Sequence, residues 1–433
     1  MLAIGAGPAN LALAAAAEEL ATPELAASML LLEQHPDIKW QRDLLLPWAR
    51  SQVSFLKDLA TLRNPRSRFS FLNYLHTKGR LDEFVNMSTF HPYRTEMSDY
   101  LQWVADTLAL VRIRYGARCE RIEPRLGVDG GVLGWQVELT DGTTIGCRDL
   151  VVGAGRDPYI PSVFDALPAD RLVHSSRYCS GIRGLRRDEA YRVVIIGGAQ
   201  SAAEMFRAVH DDLPNCEPTI VLRATAFQNY QTSKFANERY FPSFVDEFFD
   251  ANPQTRRQVL EEMRLTNYAG LAPPFLDELY AMMYQQRLSG VQRSKVLPMT
   301  DVVAAGMAGN EVVLQLRDRL TGRTYPMRCD LLLLGTGYDR QMPQLVRRLQ
   351  PQLGLSRLTV NRDYRLELPT PSWGACYLQG VNEETHGISD SLISVLAHRS
   401  QRIVEDLLAR RAEAGTEPVS IDSVNAAETV RIA

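Results

Sequence analysis

Two segments of the 433-residue chain repeat one pattern, and that repetition constrains the architecture more than any other feature of the sequence. The first, Leu2-Ala-Ile-Gly-Ala-Gly-Pro-Ala-Asn10, is an apolar strand running into Gly-x-Gly-x-x-Asn, and an apolar helix from Leu11 to Leu20 follows at once. A second apolar strand, Met29 to Leu32, then ends in Glu33. Glycines let a backbone approach a pyrophosphate, a helix N-terminus stabilises its charge, and an acid after the second strand accepts from a ribose hydroxyl. Gly5, Gly7, Pro8, Asn10 and Glu33 are therefore candidate dinucleotide ligands, with Asn10 in place of the third glycine.

The pattern returns in mid-chain. Arg192-Val-Val-Ile-Ile196 has the continuous apolar run of a buried parallel strand. Gly197-Gly-Ala-Gln-Ser-Ala-Ala-Glu204 opens a helix after it, and a further strand, Thr219 to Leu222, ends in Arg223. A cation at that place suits the 2′-phosphate of NADP. Gly197, Gly198, Gln200, Ser201 and Arg223 become candidate NADPH ligands. Ala199 stands where a second close-approach glycine is expected, which predicts a looser pyrophosphate contact. One unit ends in an acid and the other in a base, which argues for FAD first and NADPH second.

Two further stretches, Asp149-Leu-Val-Val-Gly-Ala-Gly155 and Asp330-Leu-Leu-Leu-Leu-Gly-Thr-Gly-Tyr338, each join an acid, a buried strand and a glycine turn. They have the form of strands that carry a chain between two nucleotide domains. The fold class that follows is α/β, with two Rossmann-like dinucleotide-binding domains. The flavin domain comprises 1–160 and 339–412, and the NADPH domain 161–233 and 291–338. The aromatic-rich interval 234–290 is too long for an ordinary loop and reads as a helical, functional insertion. Met97 to Leu110 reads as a helix on the flavin domain, and 413–433, which lacks apolar periodicity, as a poorly ordered tail.

Composition closes off other classes. With 48 basic against 51 acidic residues, the chain has no global positive field to recruit nucleic acid or an anionic membrane. No apolar run reaches the length of a membrane span. The N-terminus has no basic leader, so a cytoplasmic protein is expected. Cys119, Cys147, Cys179, Cys216, Cys329 and Cys376 form no C-x-x-C, which argues against a redox pair or a clustered metal site; no metal is expected. Only five of the basic residues are lysines, so a lysine marks a place where a compact ammonium is wanted.

Further blocks carry a family likeness. Gln52-Val-Ser-Phe-Leu-Lys-Asp-Leu59, Phe69-Ser-Phe-Leu-Asn-Tyr-Leu75, Phe235-Ala-Asn-Glu238, Thr266-Asn-Tyr268, Leu334-Gly-Thr-Gly-Tyr338 and Thr385-His-Gly-Ile-Ser-Asp-Ser-Leu-Ile-Ser394 resemble the microbial N-hydroxylating flavin monooxygenases. Among these the chain looks most like the L-ornithine N(delta)-hydroxylases that supply hydroxamate precursors for siderophores. The resemblance implies that NADPH reduces FAD, that dioxygen is captured as a flavin hydroperoxide, and that a neutral side-chain amine is hydroxylated. It also implies a homotetramer.

By matching position, Lys57 would bind the carboxylate of ornithine, and Asn237 and Asn267 its amino groups. Ser394 and the backbone near Leu392 would close the site beside the flavin. Gln52 would sit at the reacting edge of the ring, and Gln52 and Asn267 are the candidate catalytic residues. Trp40, Tyr338, Ser391 and Leu392 would face the flavin, and Arg94 the neighbourhood of ring and pyrophosphate. His386 is expected to support the flavin helix rather than act as a base. One block departs from the family: Gln231-Thr-Ser-Lys-Phe-Ala-Asn237 replaces Asp-Asp-Ser-Pro-Phe-Val-Asn, so two acids are lost and Lys234 is gained.

The alternatives are an N-hydroxylase of lysine, a diamine or another amino acid, a different NADPH-dependent flavoprotein, and a nucleotide-binding regulator. A disulfide reductase would need a cysteine pair. A Baeyer-Villiger enzyme would show Phe-x-Gly-x-x-x-His between the units, and no such run is present.

Overall fold

The computed structural model describes residues 1–413 apart from Thr232 and Ala269. The expected tail lies, beyond Glu413, outside the described residues.

Two five-stranded parallel sheets dominate. The first runs in the order Cys376–Leu378, Leu150–Val152, Leu2–Ile4, Leu30–Leu32, Arg112–Arg114. The second runs Lys295–Leu297, Glu217–Val221, Arg192–Ile196, Leu331–Leu334, Leu172–His174. In each, the strand that opens the glycine motif lies beside one of the connecting strands read from the sequence. Inner parallel strands are covered on both faces and must be apolar, which is why Leu30–Leu32, Leu150–Val152 and Leu331–Leu334 are unbroken Val and Leu runs, whereas the edge strands Arg112–Arg114 and Lys295–Leu297 carry cations. Ligands of such sheets bind beyond the carboxyl ends of the strands, where the order reverses.

The helix Pro8–Leu20 follows the first glycine turn, with proline in its first turn and residues 10–17 buried. Its alanines let the helix Leu396–Glu413 pack closely, so the two ends of the described chain meet over one core with Ile403, Val404 and Leu407. The helix expected at 97–110 spans Arg94–Thr107. Two antiparallel three-stranded sheets extend the expectations from the sequence. One comprises Cys119–Leu126, Val132–Leu139 and Thr144–Cys147, the other Thr300–Ala308, Glu311–Asp318 and Thr324–Cys329. The two connecting segments touch where Pro158 pairs with Tyr338 and the Tyr159 amide donates to the Gly337 carbonyl at 2.9 Å.

The interval 234–290 is mostly helical: Lys234–Asn237, Pro242–Asp250, Pro253–Asn267 and Pro273–Leu288. Its parts pack in different directions. Tyr240 and Met263 bury against Ile388, beside Leu392. Phe275 and Leu279 instead join the core around the helix Gln200–Asp212. Among the described residues no helix is long and apolar enough to cross a membrane.

Candidate active site

A continuous cavity of about 2260 Å³ joins the two glycine motifs. A drug-sized ligand fills roughly 300–1,000 Å³, so there is room for more than one large molecule. At one end Gly5 has φ +86°, and a Cβ there would lie 2.9 Å from the Gly153 carbonyl oxygen. At the other, Gly197 has φ +134°, and its Cβ would lie 2.4 Å from the Gly335 oxygen. Neither following helix has a side-chain cap at its start, which leaves first-turn amides for an anion. Both cradles therefore fit a dinucleotide pyrophosphate.

Gly5, Gly7, Pro8, Glu33, Trp40, Tyr338, Ser391 and Leu392 line the cavity, as do Gly197, Gly198, Gln200, Ser201 and Arg223. The Glu33 carboxylate is held by the amides of Ala6 (3.0 Å) and His35 (2.9 Å). Asn10 is different: it is fully buried and its side chain is spent inside the protein. Its Nδ2 donates to the carbonyls of Ile4 and Gly5 (2.8 and 2.7 Å), and its Oδ1 accepts from Gln379 Nε2 at 2.8 Å. Arg399 Nε donates in turn to Gln379 Oε1 (3.0 Å) and its Nη1 to Asp390 (2.8 Å), both members of that pair being buried.

Arg223 is exposed at the end of its strand. Arg319 Nη1 donates to the Arg223 carbonyl at 2.8 Å, and Arg317 pairs with Asp301 at 3.0 Å; all four line the cavity. Three cations against one acid favour a phosphate there. Arg317 and Arg319 are additions to the ligands read from the sequence, brought in by an antiparallel sheet that the glycine motifs do not announce.

Gln52 donates through Nε2 to Gln200 Oε1 at 3.2 Å. Arg94, expected near ring and pyrophosphate, lines the cavity, but its guanidinium is spent on a buried pair with Glu204, whose Oε2 accepts from Nη1 at 3.0 Å. Glu204 sits between buried Ala202, Ala203, Met205 and Phe206 in its helix, and its partner lies 110 positions away.

Lys57 comes to the junction of flavin domain and insertion. Its Nζ lies 4.4 Å from the centre of the Phe241 ring and 3.5 Å from Ser394 Oγ. Among the described residues it has no carboxylate partner, and burial lowers its pKa. Asn237 and Asn267 are half-buried at the ends of their helices, and Asn267 lines the cavity. The next residue, Tyr268, ties that helix end to the flavin side: its hydroxyl donates to Glu383 and meets Ser391 Oγ at 3.1 Å. Arg156 pairs with the same Glu383 at 3.2 Å.

His386 is buried against Tyr364 (4.0 Å between rings), with Nδ1 at 2.9 Å from Thr385 Oγ1 and Nε2 at 3.2 Å from the Arg362 carbonyl. Burial pushes its pKa down to about 4. Both nitrogens are engaged, which suits support rather than proton transfer. Lys234 is exposed. All six cysteines are free thiols; burial pushes Cys119, Cys147, Cys216 and Cys329 up to about 12, and no group of metal-ligating residues occurs among the described residues.

Residues 1–340 match the L-lysine 6-monooxygenase/L-ornithine 5-monooxygenase family. The chain belongs to this family. A curated member, the L-ornithine N(5)-monooxygenase of Burkholderia cepacia, is 39% identical over 96% of this chain and 95% of its own length. Among solved structures, ornithine hydroxylase from Pseudomonas aeruginosa superposes with a TM-score of 0.87 at 37% identity, covering 94% of this chain and 98% of that one. An ornithine N-hydroxylase from Kutzneria sp. 744, determined with reduced FAD, NADP+ and L-ornithine, superposes with a TM-score of 0.86 at 33% identity over 94% and 98%. Both structures therefore share the two-sheet architecture described above.

Proposed function

We propose that the protein is an FAD- and NADPH-dependent monooxygenase that hydroxylates the side-chain amine of L-ornithine with dioxygen. The observation that carries this reading is Lys57, a half-buried cation without a carboxylate partner among the described residues, set between the flavin domain and the insertion. An amino-acid carboxylate is the group such a site lacks, and the family relatives named for ornithine support the assignment. NADPH supplies the hydride and FAD the ring at which oxygen is activated. The reading keeps the domain boundaries expected from the sequence, with the helix Pro273–Leu288 packed on the core around the helix Gln200–Asp212.

Lys57 anchors the carboxylate, and Ser394 and Leu392 close the pocket beside it. Asn237 and Asn267 hold the amine by neutral hydrogen bonds. Carboxylates there would stabilise an ammonium, which has no lone pair to react; asparagines leave the free base accessible. Gln52 presents its amide at the reacting edge without titrating. Glu33 holds a ribose of FAD, and Arg223 the 2′-phosphate of NADPH. The product is a precursor of hydroxamate siderophores or related compounds. Tyr280, Tyr284 and Leu288, exposed at helical spacing, are in keeping with a homo-oligomer, and six free thiols with a cytoplasmic location.

The test is NADPH oxidation over ornithine, lysine and putrescine, scored for hydroxylated amine. Product from putrescine but not from ornithine would refute the role of Lys57. Lys57→Ala removes a charged hydrogen bond of about 1.5–3 kcal/mol, so KM for ornithine should rise roughly 10- to 100-fold while flavin reduction stays nearly intact. Activity should climb with pH as the substrate amine loses its proton. Because burial lowers the Lys57 pKa, its cation is lost as pH rises toward a value below the usual 10.5, and ornithine KM should increase on that alkaline side. A pH profile of KM that stays flat there would separate Lys57 from the carboxylate.

A further inference from the structure

We propose that Glu204 is a positioning residue that fixes which end of the Gln52 amide faces the reacting centre. The inference rests on the placement of Gln52 beside the flavin given above. Glu204 is buried, and its two oxygens accept from both terminal nitrogens of Arg94, whose Nη1 also donates to the Leu44 carbonyl at 2.9 Å. A carboxylate paired in this way has only acceptors to offer. Gln200, one turn earlier on the same helix, must then present its NH2, and its Nε2 donates to Glu204 Oε1 at 2.9 Å.

That turns the Gln200 carbonyl the other way, toward the Ala272 amide. A backbone N–H can only donate, and it reaches Gln200 Oε1 at 3.2 Å. Two independent partners therefore fix one orientation of this amide. Gln52 meets the same Oε1, at 3.2 Å, and must offer it an N–H. The reverse orientation would set two carbonyl oxygens against each other. The Gln52 carbonyl thus points away from Gln200, as an acceptor for the substrate amine. The polarity of a cavity residue is set by an ion pair between the helices Arg94–Thr107 and Gln200–Asp212, which belong to different nucleotide units.

The experiment measures three quantities on the FAD-loaded enzyme: hydroxylated ornithine formed per NADPH consumed, the anaerobic rate of flavin reduction, and the melting temperature. Glu204→Gln should lower the product yield per NADPH at least about threefold while flavin reduction changes less than about twofold. The double variant Arg94→Gln/Glu204→Gln leaves no unpaired buried charge, so its melting temperature should recover while its yield does not. A wild-type yield in Glu204→Gln, or a yield that recovers together with melting temperature, overturns the proposal. If Glu204→Gln does not fold, Gln200→Leu interrupts the relay without stranding a charge; the same loss of yield supports the proposal and a wild-type yield overturns it. Gln52→Ala separates the two readings. A full yield there removes Gln52 from the reacting centre, and the proposal falls with it. Loss of yield in Gln52→Ala but not in Glu204→Gln rejects the relay alone.

Discussion

In the first nucleotide unit the third fingerprint position is Asn10 and in the second it is Ala202, and each presses on a glycine that follows the neighbouring connecting strand. A Cβ on Gly153 would lie 2.7 Å from Asn10 Nδ2, and one on Gly335 2.4 Å from the Ala202 Cβ. The backbone plan is shared; the closure is not. Asn10 leads into a buried chain through Gln379, Arg399 and Asp390, which fastens the glycine turn to the last described helix. Ala202 makes only apolar contact, and the cations that the second unit offers a ligand stand at its rim, on Arg223, Arg317 and Arg319. An internal network resists opening, whereas rim charges are screened by salt and exchange partners readily. The comparison predicts firm retention of FAD and salt-sensitive, reversible binding of NADPH.

The strongest way to break that comparison is Arg399→Leu. It strands Asp390, which is wholly buried, and removing one partner of such a pair costs about 3–5 kcal/mol. Melting temperature and flavin content per chain should both fall; if neither moves, the network does not hold the flavin unit together. Gly335→Ala is the matching perturbation of the second unit. Its new Cβ would also lie 2.6 Å from the Ala202 Cα, and overpacking of this kind costs about 1–3 kcal/mol. NADPH affinity should drop with flavin content preserved, and the opposite order would show that the units are not independent. The mildest test is Arg223→Ala. It should raise KM for NADPH about tenfold, near 1.4 kcal/mol, leave NADH almost unaffected, and flatten the salt dependence of NADPH binding.

The parts of this arrangement that were legible in the sequence are local ones. Strand, glycine turn, helix and terminal charge lie within about thirty residues of one another in a nucleotide unit, so their chemistry can be read in place. The purpose of Asn10 could not be, because Gln379 reaches it across 369 positions. Arg94 and Glu204 are separated by 110 positions, and only an acid among Ala202, Ala203, Met205 and Phe206 hinted that a buried partner exists. The strand that carries Arg317 and leads to Arg319 did have a signal, the apolar residues Val312, Leu314 and Leu316 at every second position. A period-2 pattern over eight residues is easily lost beside a long helical insertion. The aromatic content of 234–290 likewise marked one block where packing makes two, since composition does not say which core a helix will join.

The thiols have a bearing on durability. Enzymes that combine a reduced ring with dioxygen release some hydrogen peroxide whenever a turnover misfires, and peroxide attacks thiolates, not thiols. Burial pushes Cys119, Cys147, Cys216 and Cys329 up to about 12 and raises Cys179 and Cys376 as well. At neutral pH the six thiols therefore stay in the protonated form, which peroxide oxidises slowly.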